Sequence, residues 1–347
     1  MLDDDSLLHV FYQYRPFLSG EDQDDNARFR GGDEIETHGR WWYHLAHVCQ
    51  RWRNIFFYSA SYLGLSLVCT YDTPVADMLE HSPPLPLIIH YATEGRDVTT
   101  DDEQGIIFAL KQRDRVLRVR LTKLDKILLE KFIAVLDEEF PILEYLIIGY
   151  PIEDKSTILI FPETLRAPHL RLLTLRGFSL PMGSRLLTTA VSLVTLYLVM
   201  VHPSSYFLPN TLVQWISHVP QLETLTIFFR FSIPNHGVER QLTHTPIIAP
   251  VTLPNLRRFQ FHGASTYLEA LVRRITTPRL EKLEIDFFNQ LTFSVPCLME
   301  FMSTTENLRF DSARFRFFDG EVGVTVNYRG KTGYAFGLHI FCWHLDW

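Results

Sequence analysis

Pro254-Asn255-Leu256-Arg257-Arg258-Phe259-Gln260-Phe261 is one copy of a phrase that the chain writes seven times: an aliphatic anchor with further apolar residues three and five positions on. The anchors are Val116, Leu143, Leu170, Leu193, Leu222, Leu256 and Leu280. In five copies a proline (Pro141, Pro168, Pro220, Pro254 or Pro278) stands two residues ahead of the anchor. Proline suits the first position of a strand, because it fixes φ and has no N–H to give to a sheet ladder. The phrase therefore predicts one strand per copy, opened by its anchor. Successive anchors are 27, 27, 23, 29, 34 and 24 residues apart. Units of that length cannot bury their apolar faces alone and must stack on their neighbours.

Between the phrases lie helical stretches, notably Leu124 to Leu136 and Ser265 to Ile275. Ser265 is placed to cap the second, whose Leu268, Leu271, Val272 and Ile275 share a face. Ahead of them Leu63, Leu65, Leu67 and Cys69, then Leu85, Leu87, Ile89 and Tyr91, alternate as two entry strands. Strand then helix, repeated, predicts parallel strands. The spacing is in or near the leucine-rich-repeat range, so residues 59–347 read as an irregular leucine-rich-repeat-like α/β solenoid. That consensus puts asparagine or cysteine eight residues after the anchor. Here Leu124, Pro151, Phe178, Val201, Arg230, Ala264 and Phe288 stand there, which predicts uneven curvature and variable loops. Near the end, Val322 to Tyr328 and Tyr334 to Trp343 read as two strands around residues 329–333. No polar cap follows them, so we expect either more chain or a partner over this end.

Of the formal net charge of −7, residues 1–40 carry −6, from ten carboxylates and four arginines. The rest is nearly neutral and has no basic stretch, which argues against nucleic acid as the main ligand. The four cysteines are far apart, with no Cys-x-x-Cys pair, so neither a disulfide framework nor a cysteine zinc site is written. The acidic N-terminus is unlike a signal peptide and no apolar run reaches membrane-spanning length. These features predict a soluble cytoplasmic or nuclear protein.

The first sixty residues are helical in pattern. Leu7, Leu8, Phe11 and Tyr14 share one spacing. After an acidic loop over residues 16–39, Trp42, Leu45, Val48, Cys49, Trp52, Ile55 and Phe56 fall on one face of a single predicted helix. Leu2, Asp5, Leu7, Leu8, Val10 and Phe11, followed by Trp42, Leu45, Val48, Cys49, Trp52 and Arg53, resemble the two halves of an F-box. With Leu63 to Thr70 the second half is similar to F-box proteins of mushroom-forming fungi, in which a repeat region follows the box. Leu2-Asp3 replaces the usual Leu-Pro, and Ser19 to Gly39 interrupts the motif.

This resemblance implies a helical F-box over residues 1–58 and a non-enzymatic adaptor of a cullin-RING (SCF-type) ubiquitin ligase. Leu7, Leu8, Phe11, Trp42, Leu45, Val48 and Trp52 would then contact the linker subunit, while the repeats hold a protein substrate. So many large apolar residues exceed what about fifty residues bury internally, and Trp is a common interface hot spot. The same face can instead pack on the first helix and entry strands. A repeat scaffold outside any ligase, with a degenerate F-box, is the alternative.

Strand side chains alternate, so the residues between the buried positions predict a substrate face: Arg118, Arg120; Tyr145, Ile147; Leu172, Thr174, Arg176; Thr195, Tyr197; Thr224, Thr226, Phe228; Arg258, Gln260, His262; and Lys282, Glu284, Asp286. Its mixed character suits a protein or peptide.

Chemistry is not written elsewhere. Gly330-Lys331-Thr332 lacks the first glycine of a P-loop, since position 325 is threonine. His44, His47 and Cys49 have no second ligand pair for a metal. The carboxylate pairs Asp24-Asp25, Asp101-Asp102 and Glu138-Glu139 read as solvated loops or helix ends. No cofactor is implied.

Overall fold

The seven anchors are all fully buried, but they sit in turns and not, with the exception of Val116, inside strands. The computed structural model describes residues 2–16, 39–71, 73–92, 98–150, 159–201, 207–229, 250–288, 294–305, 307–308, 312–318, 321–329 and 335–343. The acidic loop except its ends, Asp24-Asp25 and Gly330-Lys331-Thr332 lie outside these residues. In six copies the anchor N–H donates to the carbonyl three residues back: Leu143 to Phe140, Leu170 to Ala167, Leu193 to Ala190, Leu222 to Val219, Leu256 to Leu253 and Leu280 to Thr277, at 3.1–3.4 Å. The five prolines therefore occupy the second position of a four-residue turn, where a fixed φ is also favoured, and not the first position of a strand. The strand begins two residues after the anchor. Leu308 closes a further such turn onto Thr305 at 3.1 Å. The phrase does not reveal it, because Asp311 and Ala313 stand where large apolar residues belong.

The chain divides into two compact units, Met1–Leu124 and Asp125–Trp347. In the first, helices α1 (Asp4–Tyr14), α2 (Tyr43–Ala46), α3 (Gln50–Tyr58) and α4 (Ala60–Leu63) precede strand β1 (Leu67–Cys69), helix α5 (Val75–His81), strand β2 (Leu87–Ala92), helix α6 (Thr100–Lys111) and strand β3 (Val116–Thr122). Strands β1, β2 and β3 pair parallel in that order. The Asp101-Asp102 pair opens α6, where Thr99 and Asp102 form a capping box. Leu63 and Leu65 precede β1: the chain leaves α4 through Gly64, whose φ of +61° suits glycine.

The continuous helix expected from Trp42 to Phe56 is two. Cys49 is extended (φ −158°, ψ 166°) and opens α3, while α2 ends at Ala46. Arg53 reaches back so that its Nε donates to the Ala46 carbonyl at 3.1 Å, satisfying one of the acceptors a helix end leaves over.

The second unit runs α7 (Lys126–Val135), β4 (Tyr145–Gly149), β5 (Leu159–Ile160), β6 (Leu172–Arg176), β7 (Phe178–Ser179), α8 (Leu186–Thr189), β8 (Thr195–Val201), α9 (Pro209–Ile216), β9 (Thr224–Phe229), β10 (Val251–Thr252), β11 (Arg258–Gly263), α10 (Ser265–Val272), β12 (Ile275–Thr276), β13 (Lys282–Phe288), α11 (Pro296–Thr304), β14 (Ser312–Phe318), β15 (Glu321–Arg329) and β16 (Ala335–Trp343). Strands β4, β6, β8, β9, β11, β13 and β16 are parallel neighbours in that order. Strands β16, β15 and β14 then pair antiparallel. The two terminal strands read from the sequence are β15 and β16, and β14 is an addition.

One stitch recurs along the parallel series. The carbonyl just before each strand accepts two consecutive N–H groups of the next copy: Glu144 from Arg171 and Leu172, Arg171 from Val194 and Thr195, Val194 from Glu223 and Thr224, Glu223 from Arg257 and Arg258, and Arg257 from Glu281 and Lys282, at 2.8–3.1 Å. It locks the register from one copy to the next. Leu225, Ile227, Phe259, Phe261, Leu283 and Ile285 fill the covered face with almost no exposure. Each such burial contributes about 1.5–3 kcal/mol. Asp125, not Leu124, caps α7, accepting from Leu128 N at 2.9 Å. Ser265 is the first residue inside α10 rather than its cap, and Ile275 belongs to β12 and not to that helix.

Candidate interaction surfaces

The helical segments of the first unit are built around Phe11. Its ring stacks on Phe56 at 4.4 Å and meets Trp52 edge-on at 4.9 Å, while Trp41 meets Phe56 at 5.9 Å. Trp42 packs against Tyr43 and Phe57. Its indole N–H donates to the Ser66 carbonyl at 3.2 Å, and the Tyr43 hydroxyl accepts from Val68 N at 3.2 Å. Arg40 Nη2 donates to Thr70 and Thr73 hydroxyls, both at 3.0 Å. The helices are thus tied to the strand that follows them.

Three of the seven residues expected at the linker surface, Leu7, Phe11 and Trp42, are consequently buried in the unit's own core. Their indole and phenyl groups meet other rings of this chain, so they hold the helices in place and cannot themselves present a surface. Leu8, Leu45 and Trp52 are half-buried, and Val48 is 60% exposed. The break between α2 and α3 accounts for Val48, because a residue in the corner leaves the stripe that a continuous helix would have buried. Leu2, Val10, Tyr14, Tyr58 and Tyr62 are exposed as well, Tyr58 by 91%. Sequence reasoning placed Tyr14 on the apolar spacing of α1 and passed over Tyr58 and Tyr62.

On the uncovered face of the second unit, parallel register lines up three rows. Tyr145, Leu172, Thr195, Thr224, Arg258 and Lys282 form the first. Ile147, Thr174, Tyr197, Thr226, Gln260 and Glu284 form the second. Gly149, Arg176, Val199, Phe228, His262 and Asp286 form the third, towards the carboxyl ends of the strands. The expected alternation is present, but the rows are not equally accessible. Thr174, Tyr197 and Thr226, and also Thr195 and Thr224, are buried, which removes them from the surface predicted for them. Thr174, between Ile147 and Tyr197, and Thr226, between Tyr197 and Gln260, are shielded by longer neighbours on strands about 4.8 Å away. Tyr145, Ile147, Phe228, Gln260, His262 and Glu284 are half-buried and Arg176 is exposed. In the first unit Arg118 is half-buried, and burial lowers the pKa of the Arg120 guanidinium.

Polar contacts run across β9, β11 and β13. Thr226 Oγ1 donates to Gln260 Oε1 at 2.9 Å, Gln260 Nε2 donates to Glu284, and Lys282 Nζ meets Glu284 at 2.5 Å. Phe228 and His262 stack with centroids 3.9 Å apart and planes 4° from parallel, and His262 Nδ1 lies 3.3 Å from Asp286 Oδ2. This is a surface of paired charges and stacked rings, suited to grip a polypeptide by complementary contacts.

A cleft of about 550 Å³ between β12 and α11 is lined in part by Cys297, Arg273 and Thr277. Burial raises the Cys297 thiol above its ordinary value, with the Arg273 guanidinium pulling the other way, so its thiolate is scarce at neutral pH. Among the described residues no group of three His, Cys, Asp or Glu side chains could hold a metal ion, and no helix is long and apolar enough to cross a membrane. No protein-family model, no curated protein and no solved structure matches the chain.

Proposed function

We propose that the chain is a substrate receptor without enzymatic activity, whose first helices act as an F-box docked on the linker subunit of a cullin-RING ubiquitin ligase. The strands of the second unit form a leucine-rich-repeat-like solenoid that presents its uncovered face to a protein substrate. The observation that carries the docking role is the exposure of Val10, Tyr14, Tyr58 and Tyr62 on the first helices, of Leu2 ahead of α1 and of Val48 in the corner between α2 and α3, around an interior already filled by Phe11, Phe56 and Trp42. Apolar groups left outside a satisfied core belong to an interface when they gather in one region. Within the expected set, Leu8, Leu45, Val48 and Trp52 touch the partner, and Leu7, Phe11 and Trp42 position them. Recurrence of the anchor turn and of the two-donor stitch supports the solenoid reading. The cytoplasm or nucleus, where this ligase works, is the proposed location.

A repeat scaffold with a degenerate F-box is favoured by a different observation, the burial of Leu7, Phe11 and Trp42. Pull-down by the purified linker subunit separates the two readings. The adaptor loses binding with Val48→Asp, and with Trp52→Ala by about 2 kcal/mol or more, while circular dichroism stays unchanged. Retention of the Val48→Asp protein at wild-type level would remove this surface from the docking role.

A further inference from the structure

Taking the uncovered sheet face to be the substrate surface, we infer that its occupant is an extended peptide segment lying across the strands, with an acidic residue about six positions from a basic one and apolar residues between. Three observations fix this chemistry. First, the second row is closed in its middle by buried Thr174, Tyr197 and Thr226, so a ligand follows the third row along the carboxyl ends of the strands. Ligands of open parallel sheets favour that end. Second, the third row changes character from one end to the other: Arg176 is exposed, Val199, Phe228 and His262 give an aliphatic and aromatic middle, and the Asp286 side chain is 37% exposed. Glu284, in the next row of the same strand, is already met by Lys282 at 2.5 Å, which leaves Asp286 as the carboxylate for the ligand. Third, Arg176 and Asp286 are separated by four strand-to-strand steps. At about 4.8 Å per step that is about 19 Å, which an extended chain rising about 3.3 Å per residue spans in about six residues. The acidic residue lies over Arg176 and the basic residue over Asp286.

The probe is a fluorescent ten-residue peptide pool with aspartate at the second position, lysine at the eighth and apolar residues randomised between them. A second pool carries the charges in the opposite order, and a third carries them side by side. Anisotropy is read with full-length protein. We expect one of the separated-charge pools to bind best, and Arg176→Glu and Asp286→Lys each to weaken it about fivefold, as for a partly exposed charge pair. The double variant Arg176→Glu/Asp286→Lys prefers the other charge order. Equal binding of all three pools, or variants without effect, would overturn the charge reading and leave the sheet face as the substrate surface. Absence of binding by any pool to folded protein overturns both.

Discussion

Cys69 lies at the end of β1, fully buried, and burial pushes its thiol up to about 12 against the opposing pull of Arg115 and Arg40. A folded-state pKa above the ordinary value of 9.0 means that the folded protein keeps a proton the unfolded chain releases. This contribution is complete below pH 9 and is lost as the pH rises towards 12. The stability gap between wild type and Cys69→Ala should therefore narrow by about 1 kcal/mol per pH unit above pH 9. Urea titrations from pH 8 to pH 10.5 measure it, and a constant gap would place the thiol in water. Gly263 makes a steric prediction. A Cβ there would lie 2.8 Å from the Phe261 ring and 2.9 Å from that of Phe229, so Gly263→Ala should cost about 1–3 kcal/mol, read as a shifted urea midpoint. The sequence places Gly263 at the end of a strand but does not reveal the two rings, since Phe229 is a neighbour only through the pairing of β9 with β11.

Between elements, the turn now assigned to each phrase separates the roles of proline and anchor. Pro254 only restricts the turn, so Pro254→Ala should cost under about 1 kcal/mol. Leu256 is fully buried, and Leu256→Ala should cost about 2–5 kcal/mol. Equal losses in denaturant unfolding would contradict the assignment. The start of α11 is held by a neighbouring helix: Glu269 accepts from Cys297 N at 2.9 Å and from Leu298 N at 2.7 Å. Glu269→Ala removes this cap and should cost about 1–2 kcal/mol, whereas an unchanged unfolding midpoint would make the contact incidental. Strand positions were legible because one covered face forces a period of two. The break between α2 and α3 was not, because Leu45, Val48 and Trp52 satisfy a helical stripe whether or not the backbone turns at Cys49. Strand β14 was missed because Asp311 and Ala313 interrupt the apolar pattern of the turn that precedes it.

At the scale of the whole chain, seven phrases were enough to read an α/β architecture with parallel strands, because six of the copies repeat the same turn and one stitch joins each of these to the next. The candidate surfaces were legible only in part. Alternation predicts which residues face away from the helices, but accessibility depends on side chains across the ladder, and so Tyr197 and Thr226 are lost to the interior while Arg176 and Asp286 remain. The same holds for the helical segments, where Trp42 turns inward to the Ser66 carbonyl and Val48 and Tyr58 turn outward. On the function proposed above, these outward residues dock a ligase linker. Titrating the purified linker subunit into the full-length protein by calorimetry tests it most directly: the adaptor reading predicts one-to-one binding with a submicromolar dissociation constant. A folded protein that releases no binding heat at any temperature tried, and does not co-elute with the linker subunit, would contradict it.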